Sequence, residues 1–412
     1  MDRRDWEWVL TCFGTAVGAG ILFLPIRAGL GGIWPTLILT AIIFPVTYVA
    51  HRGVTRIVAS CSKPTDIVGA VERDMGRNVS FAVSVLYFMS IITICVGYAT
   101  GMTNIVQSFL ENQMRMPPVS RSLLTFAILV IVTGVIVCGE RVMVRVTSVI
   151  TFPLILLLAA LSFYMIPHWN AAMLDTPFRL NDILKNLLLL FPVLVFAMNF
   201  SPVCSTLGAA YRTRFPAGDE AVKRSDAVVR WTSFILLVFV MFFVLSLMLS
   251  STPEMLQAAE RNNVDMLTAM SLAFDQPVLM YLNPLIAILA IISSYFGHFV
   301  GTREGLIGII VRLVCWKNPE KSKDVQTKTL TLTVTALLML GLWFLAVYNP
   351  PILKIIGALS SPVIAVYAYL MPVILMRRVP RLIIYRSRLA GFVFIMGIIG
   401  IVGDFTGTYL MQ

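Results

Sequence analysis

A run of small residues interrupts a long apolar segment near the N-terminus. Gly14, Gly18 and Gly20 fall within seven residues, and Pro25 follows them. Each glycine weakens a helix by about 1 kcal/mol relative to alanine, and Pro25 leaves the carbonyl of Ile21 without its helical donor. An unpaired backbone group is costly in hydrocarbon, so this break must line a polar cavity or pack against protein. The alternative interpretation is a GxxxG packing contact between helices, with Pro25 as a simple kink.

A second break follows the same logic in the middle of the chain. Pro202 frees the carbonyl of Met198, and Asn199 and Ser201 offer local polar partners. A half-helix that begins at a break presents free N–H groups that attract a carboxylate, and one that ends there presents carbonyls that accept from an ammonium. The two breaks together therefore favour a zwitterionic ligand. Backbone contact requires small residues, and Gly18, Ala19 and Gly20 meet that need.

Two further polar stripes lie in apolar segments. One helical face carries Thr93, Gly97, Thr100, Gly101, Asn104 and Ser108. Tyr98 lies beside it and could bond a substrate carboxylate or gate the site, although hydrogen bonding between helices explains such a face equally well. A later stripe carries Ser294, His298, Gly301 and Gly305.

His298 is the only histidine inside a predicted span, since His51 and His168 fall at span ends. Histidine titrates near neutral pH, so His298 could couple transport to protons, or it could be a neutral residue bonded to a neighbouring helix. Arg303 and Glu304 could form an inner gate or a structural pair.

The amino-acid composition indicates whether these residues lie in water or in a membrane. Hydrophobic residues make up 58% of the 412 residues, charged residues only 13%, and the mean hydropathy is +0.86. Soluble domains carry about 25% charge, so this chain has too little polar surface for water. The net charge of +11 lies in short clusters between apolar runs, which is typical of cytoplasmic loops rather than of a nucleic-acid-binding surface. We therefore predict an all-α integral membrane protein.

A membrane helix needs roughly 20 apolar residues, and the sequence contains eleven such segments. They are 8–30, 33–51, 80–110, 121–138, 146–166, 183–208, 231–250, 279–311, 329–347, 351–375 and 389–410. The breaks fall in the first and sixth, so each break opens a block of five spans. Five is an odd number, so the second block has inverted topology. Paired breaks in inverted repeats indicate a binding site at the membrane midplane.

The predicted organisation is a single transmembrane domain over 1–412. A first five-helix repeat covers 8–166, a second covers 183–375, and an extra eleventh helix covers 389–412. With the N-terminus placed inside, 24 of the 32 Lys and Arg residues fall on the inner side and seven on the outer side. This asymmetry predicts a cytoplasmic N-terminus and a periplasmic C-terminus.

The order of several motifs resembles a known family. The segment FGTAVGAGILFLPIRAG from Phe13 to Gly29 resembles the serine/threonine branch of the hydroxy and aromatic amino acid permeases, within the amino acid/polyamine/organocation superfamily. Further matches are His51-Arg52, ENQ at 111–113, IPHWN at 166–170, NFSP at 199–202, FGHFVGT at 296–302, EGL at 304–306 and Asn349-Pro350. These motifs cover nearly the whole chain in order.

This resemblance implies an eleven-span protein of the leucine-transporter (LeuT) fold, in the bacterial inner membrane, that imports amino acids with protons. The substrate site of the fold carries over onto Thr15, Ala16, Gly18, Ala19 and Gly20 of span one, onto Phe196, Asn199 and Ser201 of span six, and onto Tyr98. Relatives in this branch carry a lysine where this chain has Ser293, and a leucine where it has Arg303. Without that lysine, Ser293 and Ser294 could instead supply oxygens to a sodium ion.

The predicted function is therefore secondary active symport of a small neutral amino acid such as serine or threonine, coupled to protons. The expected partners are the amino acid and the lipid bilayer, with no nucleic acid, no bound metal and no cofactor beyond the coupling ion. The alternatives are sodium coupling, an aromatic or other amino acid as substrate, and a passive facilitator or channel. A membrane enzyme would need clustered His, Asp or Glu residues, and the spans hold too few of them.

Overall fold

The computed structural model describes residues 1–170, 173–174, 177–216, 218–273, 277–316, 325 and 327–410. All regular elements in these ranges are helices. They are α1 Arg3–Ala16, α2 Ala19–Gly31, α3 Ile33–Ala59, α4 Ile67–Met75, α5 Arg77–Ser108, α6 Arg121–Val137, α7 Glu140–Tyr164, α8 Leu180–Ala197, α9 Ser201–Arg214, α10 Glu220–Leu249, α11 Pro253–Arg261, α12 Met266–Ala273, α13 Pro277–Val314, α14 Lys328–Val347, α15 Ile352–Arg378 and α16 Arg388–Leu410, with short 3₁₀ and π turns between or within them.

Half of these sixteen helices are long and apolar enough to cross a membrane. In the described ranges eight meet that criterion, or nine when α1 and α2 count as one bent span, and Arg121–Val137 and Arg388–Gly403 are shorter apolar helices. The prediction of a multi-pass, all-helical membrane protein is confirmed. The last two residues of the predicted eleventh segment, 411 and 412, lie outside the described residues.

Three helices extend well beyond the segments that hydropathy marked. Helix α3 runs to Ala59 rather than ending at 51, α7 begins at Glu140, and α10 begins at Glu220 rather than at 231. The backbone hydrogen bonds of a helix continue past the apolar run wherever neighbours pack against it. The placement of His51 at a span end was therefore wrong, because His51 is fully buried eight residues before the end of α3.

The first break falls at Val17 and Gly18. Helix α1 ends at Ala16, Val17 is extended (φ −76°, ψ 102°), and α2 starts at Ala19 at an angle of 58° to α1. Pro25 does not interrupt the helix, because α2 continues through it to Gly31. The glycine run therefore sets the position of the break, and the proline lies within the second half-helix.

The second break separates α8 from α9. Helix α8 ends at Ala197, and α9 starts at Ser201 with Pro202 in its first turn, where a missing N–H costs nothing. Around these breaks α5 packs along α13, α2 packs against α8, and α3 packs against both α9 and α10. Small residues allow the close approaches: a Cβ on Gly208 of α9 would lie 2.8 Å from the carbonyl oxygen of Thr55 in α3.

Two short helices, α11 and α12, meet at a buried carboxyl between the seventh and eighth predicted spans. Asp265 precedes α12 and accepts hydrogen bonds from the Thr268 hydroxyl (2.5 Å), the Leu267 amide (2.9 Å) and the Thr268 amide (3.2 Å). This is an N-cap arrangement. Burial nevertheless raises the pKa of Asp265 from 3.8 to about 6, because the hydrogen bonds only partly offset desolvation.

We expect the stability of the protein to depend on pH through Asp265. Its pKa is raised in the folded state, so its contribution to the free energy of unfolding is complete below the ordinary value of 3.8 and is lost as pH rises through about 6. Thermal unfolding at about pH 4.5 and about pH 7.5 measures the difference. Asp265→Asn should shrink that difference, whereas Asp182→Asn, at an exposed carboxylate, should leave it unchanged; equal shrinkage in both variants would contradict the assignment.

Candidate functional site

The start of α2 carries a cluster of unpaired backbone donors. Ile21 is the first residue of this half-helix whose amide is bonded, to the Gly18 carbonyl at 3.2 Å. The amides of Gly18, Ala19 and Gly20 form no hydrogen bond with any residue that the structure describes, and all three residues are buried. Buried amides are almost always paired, so three such groups at a helix N-terminus indicate a place for an anionic ligand group.

Only glycine fits at two of these positions. A Cβ on Gly18 would lie 2.5 Å from the Ser294 hydroxyl and 2.9 Å from the Tyr98 hydroxyl. A Cβ on Gly20 would lie 2.7 Å from the Cα of Ala197 and 2.8 Å from the ring of Phe196. The start of α2 is therefore clamped between α13 and α5 on one side and the end of α8 on the other.

The end of α1 is bonded to α13. The Ser294 hydroxyl donates to the Val17 carbonyl at 2.6 Å, and this oxygen is one that the break has freed from helical bonding. Gly14 contacts a different helix, because its Cβ would meet the Thr151 methyl of α7 at 3.2 Å. Gly14 and Gly18 thus face different partners and do not form a single GxxxG interface.

A cavity of about 410 Å³ lies beside the first break, between α1, α7 and α13. It runs from exposed Leu10 to buried Ser294. Its lining consists of Leu10, Thr11, Gly14, Thr15, Met143, Thr151, Phe152, Ile155, Ser293, Ser294, Gly297 and His298. Sequence reasoning had not marked Thr11 or the α7 residues. Thr11 and Thr15 lie one turn apart on α1, and that spacing was an available signal.

Among the described residues that line this cavity, His298 is the only one with an ionisable side chain. Its Nδ1 lies 2.8 Å from the Ser294 carbonyl, which can only accept, so Nδ1 carries a proton. The ring stands edge-on to Tyr98 at 5.2 Å between centroids. His298 therefore links the cavity to the residues that clamp Gly18.

The predicted residues of the second break have different surroundings. Asn199 Oδ1 accepts the amide N–H of Ser201 at 3.1 Å, so the expected local polar partner is present. Neither residue lines the cavity. Phe196 lies against Gly20, and Ala16 and Ala19 are buried beside the first break. The structure thus groups Thr15, Ser293, Ser294 and His298 in the cavity and places Gly18 and Tyr98 against Ser294, while Asn199 and Ser201 cap their own helix.

Comparison with known proteins identifies the family of the chain. A model of the tryptophan/tyrosine permease family matches residues 6–402. The chain belongs to that family. The serine transporter SdaC of Escherichia coli (strain K12) is 36% identical over 408 residues, which cover 97% of this chain and 94% of that relative, and SdaC of Shigella flexneri matches to the same extent. The resemblance to the serine/threonine branch is confirmed, and the permease is a transporter rather than an enzyme.

Solved structures support the same fold. A mutant of the manganese transporter of Eremococcus coleocola aligns with a TM-score of 0.62 at 12% identity, over 98% of this chain and 87% of that one. MhsT in complex with L-phenylalanine aligns with a TM-score of 0.52 at 13% identity, over 99% of this chain and 98% of that one. The permease therefore shares its helical architecture with membrane transporters of very different sequence.

Arg303 and Glu304 lie farther along α13, outside the cavity lining. Arg303 is partly buried, and its Nε has no hydrogen-bond partner among the described residues, whereas Glu304 is exposed. A different group of charges joins α1 to α9 and α10. Asp5 of α1 is fully buried and accepts from Tyr211 of α9 (2.5 Å) and from Arg224 of α10 (2.9 Å).

We expect this buried carboxylate to hold α1 in place. Asp5→Asn should weaken the hydrogen bonds from Tyr211 and Arg224, and α1 should open more often. In a variant that retains Cys12 alone, which is fully buried on α1, maleimide labelling should rise by roughly tenfold. Glu7→Gln is the matched control, because among the described residues Glu7 forms an ion pair only with the exposed Arg3. Unchanged labelling in Asp5→Asn would show that other contacts hold the helix.

At the opposite end of α5 a polar network connects four elements. Arg121 donates to Asn104 Oδ1 (2.7 Å) and to the Ala346 carbonyl (3.0 Å), while Asn104 donates to the Asn263 carbonyl (2.6 Å). Asn263, at a positive φ of 54°, also donates to Asn349 Oδ1 (2.8 Å). The loop between α11 and α12 is thereby bonded to α5, α6 and the α14–α15 connection.

Proposed function

We propose that this permease is a secondary active symporter that imports a small neutral amino acid of the serine type together with protons. The observation that carries the proposal is the buried, unpaired set of amides at Gly18, Ala19 and Gly20. Such donors at a helix N-terminus suit the carboxylate common to all amino acids. The serine transporter of 36% identity supports a small hydroxylated side chain in the substrate.

The transport cycle in this proposal is alternating access. The two breaks divide two spans into half-helices, and α1 and α9 are joined by the Asp5–Tyr211 contact. The cavity beside α1 and the hydrogen-bonded network at the far end of α5 fit a conformation that is open on the N-terminal side. The proposal includes a LeuT-like fold with two inverted five-helix repeats and an eleventh helix. It also includes an inner-membrane location with a cytoplasmic N-terminus.

Proton coupling is assigned to His298. It is the sole ionisable group that the structure describes on the cavity wall, and a cavity of this size admits water to the ring. The alternative is sodium coupling. The Ser293 and Ser294 hydroxyls and the Val17 carbonyl are hard oxygen donors close to the first break, and oxygen donors suit an alkali cation. Among the described residues no group of three or more His, Cys, Asp or Glu side chains could hold a metal ion.

Uptake into proteoliposomes tests the proposal. Labelled serine, threonine, tyrosine and tryptophan are offered under an inward proton gradient, an inward sodium gradient or neither. Serine or threonine should accumulate with the proton gradient alone and should leave when an ionophore collapses it. Equilibration without accumulation would identify a facilitator, accumulation with sodium would identify the other ion, and uptake confined to tyrosine and tryptophan would overturn the substrate class.

A further inference from the structure

We propose that His51 of α3 is a positioning residue for the transport site, and that its neutral imidazole caps the break between α8 and α9. The inference rests on the proposed function, because it gives His51 a part in substrate binding. His51 is fully buried, and its ring stacks on that of Phe200 at 3.9 Å between centroids and 17° between planes. It therefore lies against the interrupted backbone of span six, far from the membrane edge that the sequence suggested.

Two hydrogen bonds fix the protonation state of the ring. Nδ1 lies 2.8 Å from the Thr47 carbonyl, which can only accept, so Nδ1 carries a proton. The backbone amide of Phe200 can only donate, and it points at Nε2 from 3.0 Å, so Nε2 carries a lone pair. A neutral imidazole satisfies both partners, and an imidazolium would satisfy only the first.

Asn199 is the competing neighbour of Nε2, at a longer distance than the amide of Phe200. Its Oδ1 lies 3.3 Å from Nε2 and already accepts the amide N–H of Ser201. With Nε2 unprotonated, these two acceptors face each other without a proton between them. A protonated Nε2 would donate to Asn199 Oδ1 and release the amide of Phe200. The contacts around Nε2 therefore exclude each other, and the bond from Phe200 requires the neutral ring.

This cap makes the two breaks chemically different. At the start of α9 the amide of Phe200 is bound to His51, that of Ser201 to Asn199, and that of Val203 to the Phe200 carbonyl at 3.2 Å. Pro202 has no amide hydrogen. Helix α9 therefore offers no free donor in its first turn, whereas α2 offers three. The substrate carboxylate is recognised at the N-terminus of α2 alone, and α9 contributes to the shape of the substrate site.

The backbone conformation at this break affects the substrate site through α8. Ala197, the last residue of α8, lies two positions before Asn199 and forms the wall against which Gly20 packs. If the amide of Phe200 loses its cap, the break can relax and shift that wall relative to the free amides of α2. His51 thus acts through the backbone of α8 and does not touch the substrate.

Two substitutions distinguish the role of His51 as a hydrogen-bond acceptor from the role of its aromatic ring. In His51→Gln the side-chain oxygen can reach the position of Nε2 and accept from Phe200. In His51→Phe the stacking on Phe200 remains, but the acceptor is lost. We expect His51→Gln to retain KM and kcat within about threefold, and His51→Phe to raise KM by roughly tenfold or more with a smaller effect on kcat. His168→Gln, the same substitution at the end of a span and far from the breaks in sequence, serves as the control and should change neither constant.

A spectroscopic measurement keeps the test decisive if His51→Phe does not fold. The chain has three histidines, so the ¹⁵N spectrum of histidine-labelled protein minus that of His51→Gln isolates the His51 signals. An unprotonated Nε2 is expected. A protonated Nε2, or a His51→Gln variant whose KM rises as much as that of His51→Phe, would overturn the proposal. Because the spectrum requires no uptake, a wild-type protein that does not transport would disprove the proposed function without deciding the role of His51.

Discussion

Gly18→Leu is expected to abolish amino acid uptake while the protein still inserts and folds. A Cβ at this position would already lie 2.5 Å from the Ser294 hydroxyl and 2.8 Å from its Cβ, and leucine adds three further carbon atoms. The backbone itself does not require glycine, because Gly18 is extended (φ −159°), a conformation open to any residue. The damage is therefore steric and confined to the contact between the first break, α13 and Tyr98. We expect a loss of uptake of roughly 100-fold or more.

Gly134→Leu is the matched control for this experiment. Gly134 lies on the exposed face of α6, and a Cβ there would meet nothing within 4 Å. Both variants are purified in detergent, checked for a single size-exclusion peak, and compared for serine uptake in proteoliposomes. Gly18→Ala should fall between the wild type and Gly18→Leu, because it introduces the first clash alone. Wild-type uptake by a well-folded Gly18→Leu protein would remove the substrate site from the first break.

The first break was predictable from sequence because its cause is local. Glycines lower helix propensity wherever they occur, and the run from Gly14 to Gly20 placed the interruption correctly. Pro25 was harder to interpret, because a proline marks a lost hydrogen bond but not whether the helix bends there. The structure keeps α2 continuous through Pro25, since its neighbours hold the helix on both sides.

The contacts of His51 could not be predicted from sequence because their cause is tertiary. Hydropathy falls at His51 and Arg52, so a window average ends the second span there. In the folded chain α9 packs so closely on α3 that a Cβ on Gly208 would touch Thr55 and Val58, which keeps this part of α3 buried. Local periodicity carries no information on a helix that arrives about 150 residues later in the chain.

The lining of the cavity could likewise be predicted only in part from the sequence. The sequence marked Ser294 and His298 as one stripe of span eight, and the structure places both on the cavity wall. The opposite wall comes from Thr151 and Phe152 of α7, whose own segment reads as an ordinary apolar span. A stripe predicts which side chains share a face, but only the packed bundle shows what that face meets.

His298→Asn is expected to abolish proton-driven accumulation while exchange of amino acid across the membrane continues. The asparagine amide can replace Nδ1 as donor to the Ser294 carbonyl, so the local structure of α13 should survive. What is lost is the only ionisable group in the described part of the cavity wall. Without it the cavity cannot carry a proton with the substrate, and the steady-state ratio of inner to outer serine should fall to about one under a proton gradient.

Sodium coupling predicts the opposite result for His298→Asn. If Ser293 and Ser294 hold the coupling ion, Ser293→Ala should abolish accumulation and His298→Asn should retain it under a sodium gradient. Loss of the Ser293 hydroxyl removes one bond, to the Ala290 carbonyl at 3.0 Å within the same helix, so a large transport defect there would not reflect a damaged fold. Counterflow exchange, which needs substrate binding but no ion gradient, shows that each variant still binds its amino acid. A His298→Asn protein that still accumulates serine with protons alone would exclude His298 as the coupling group.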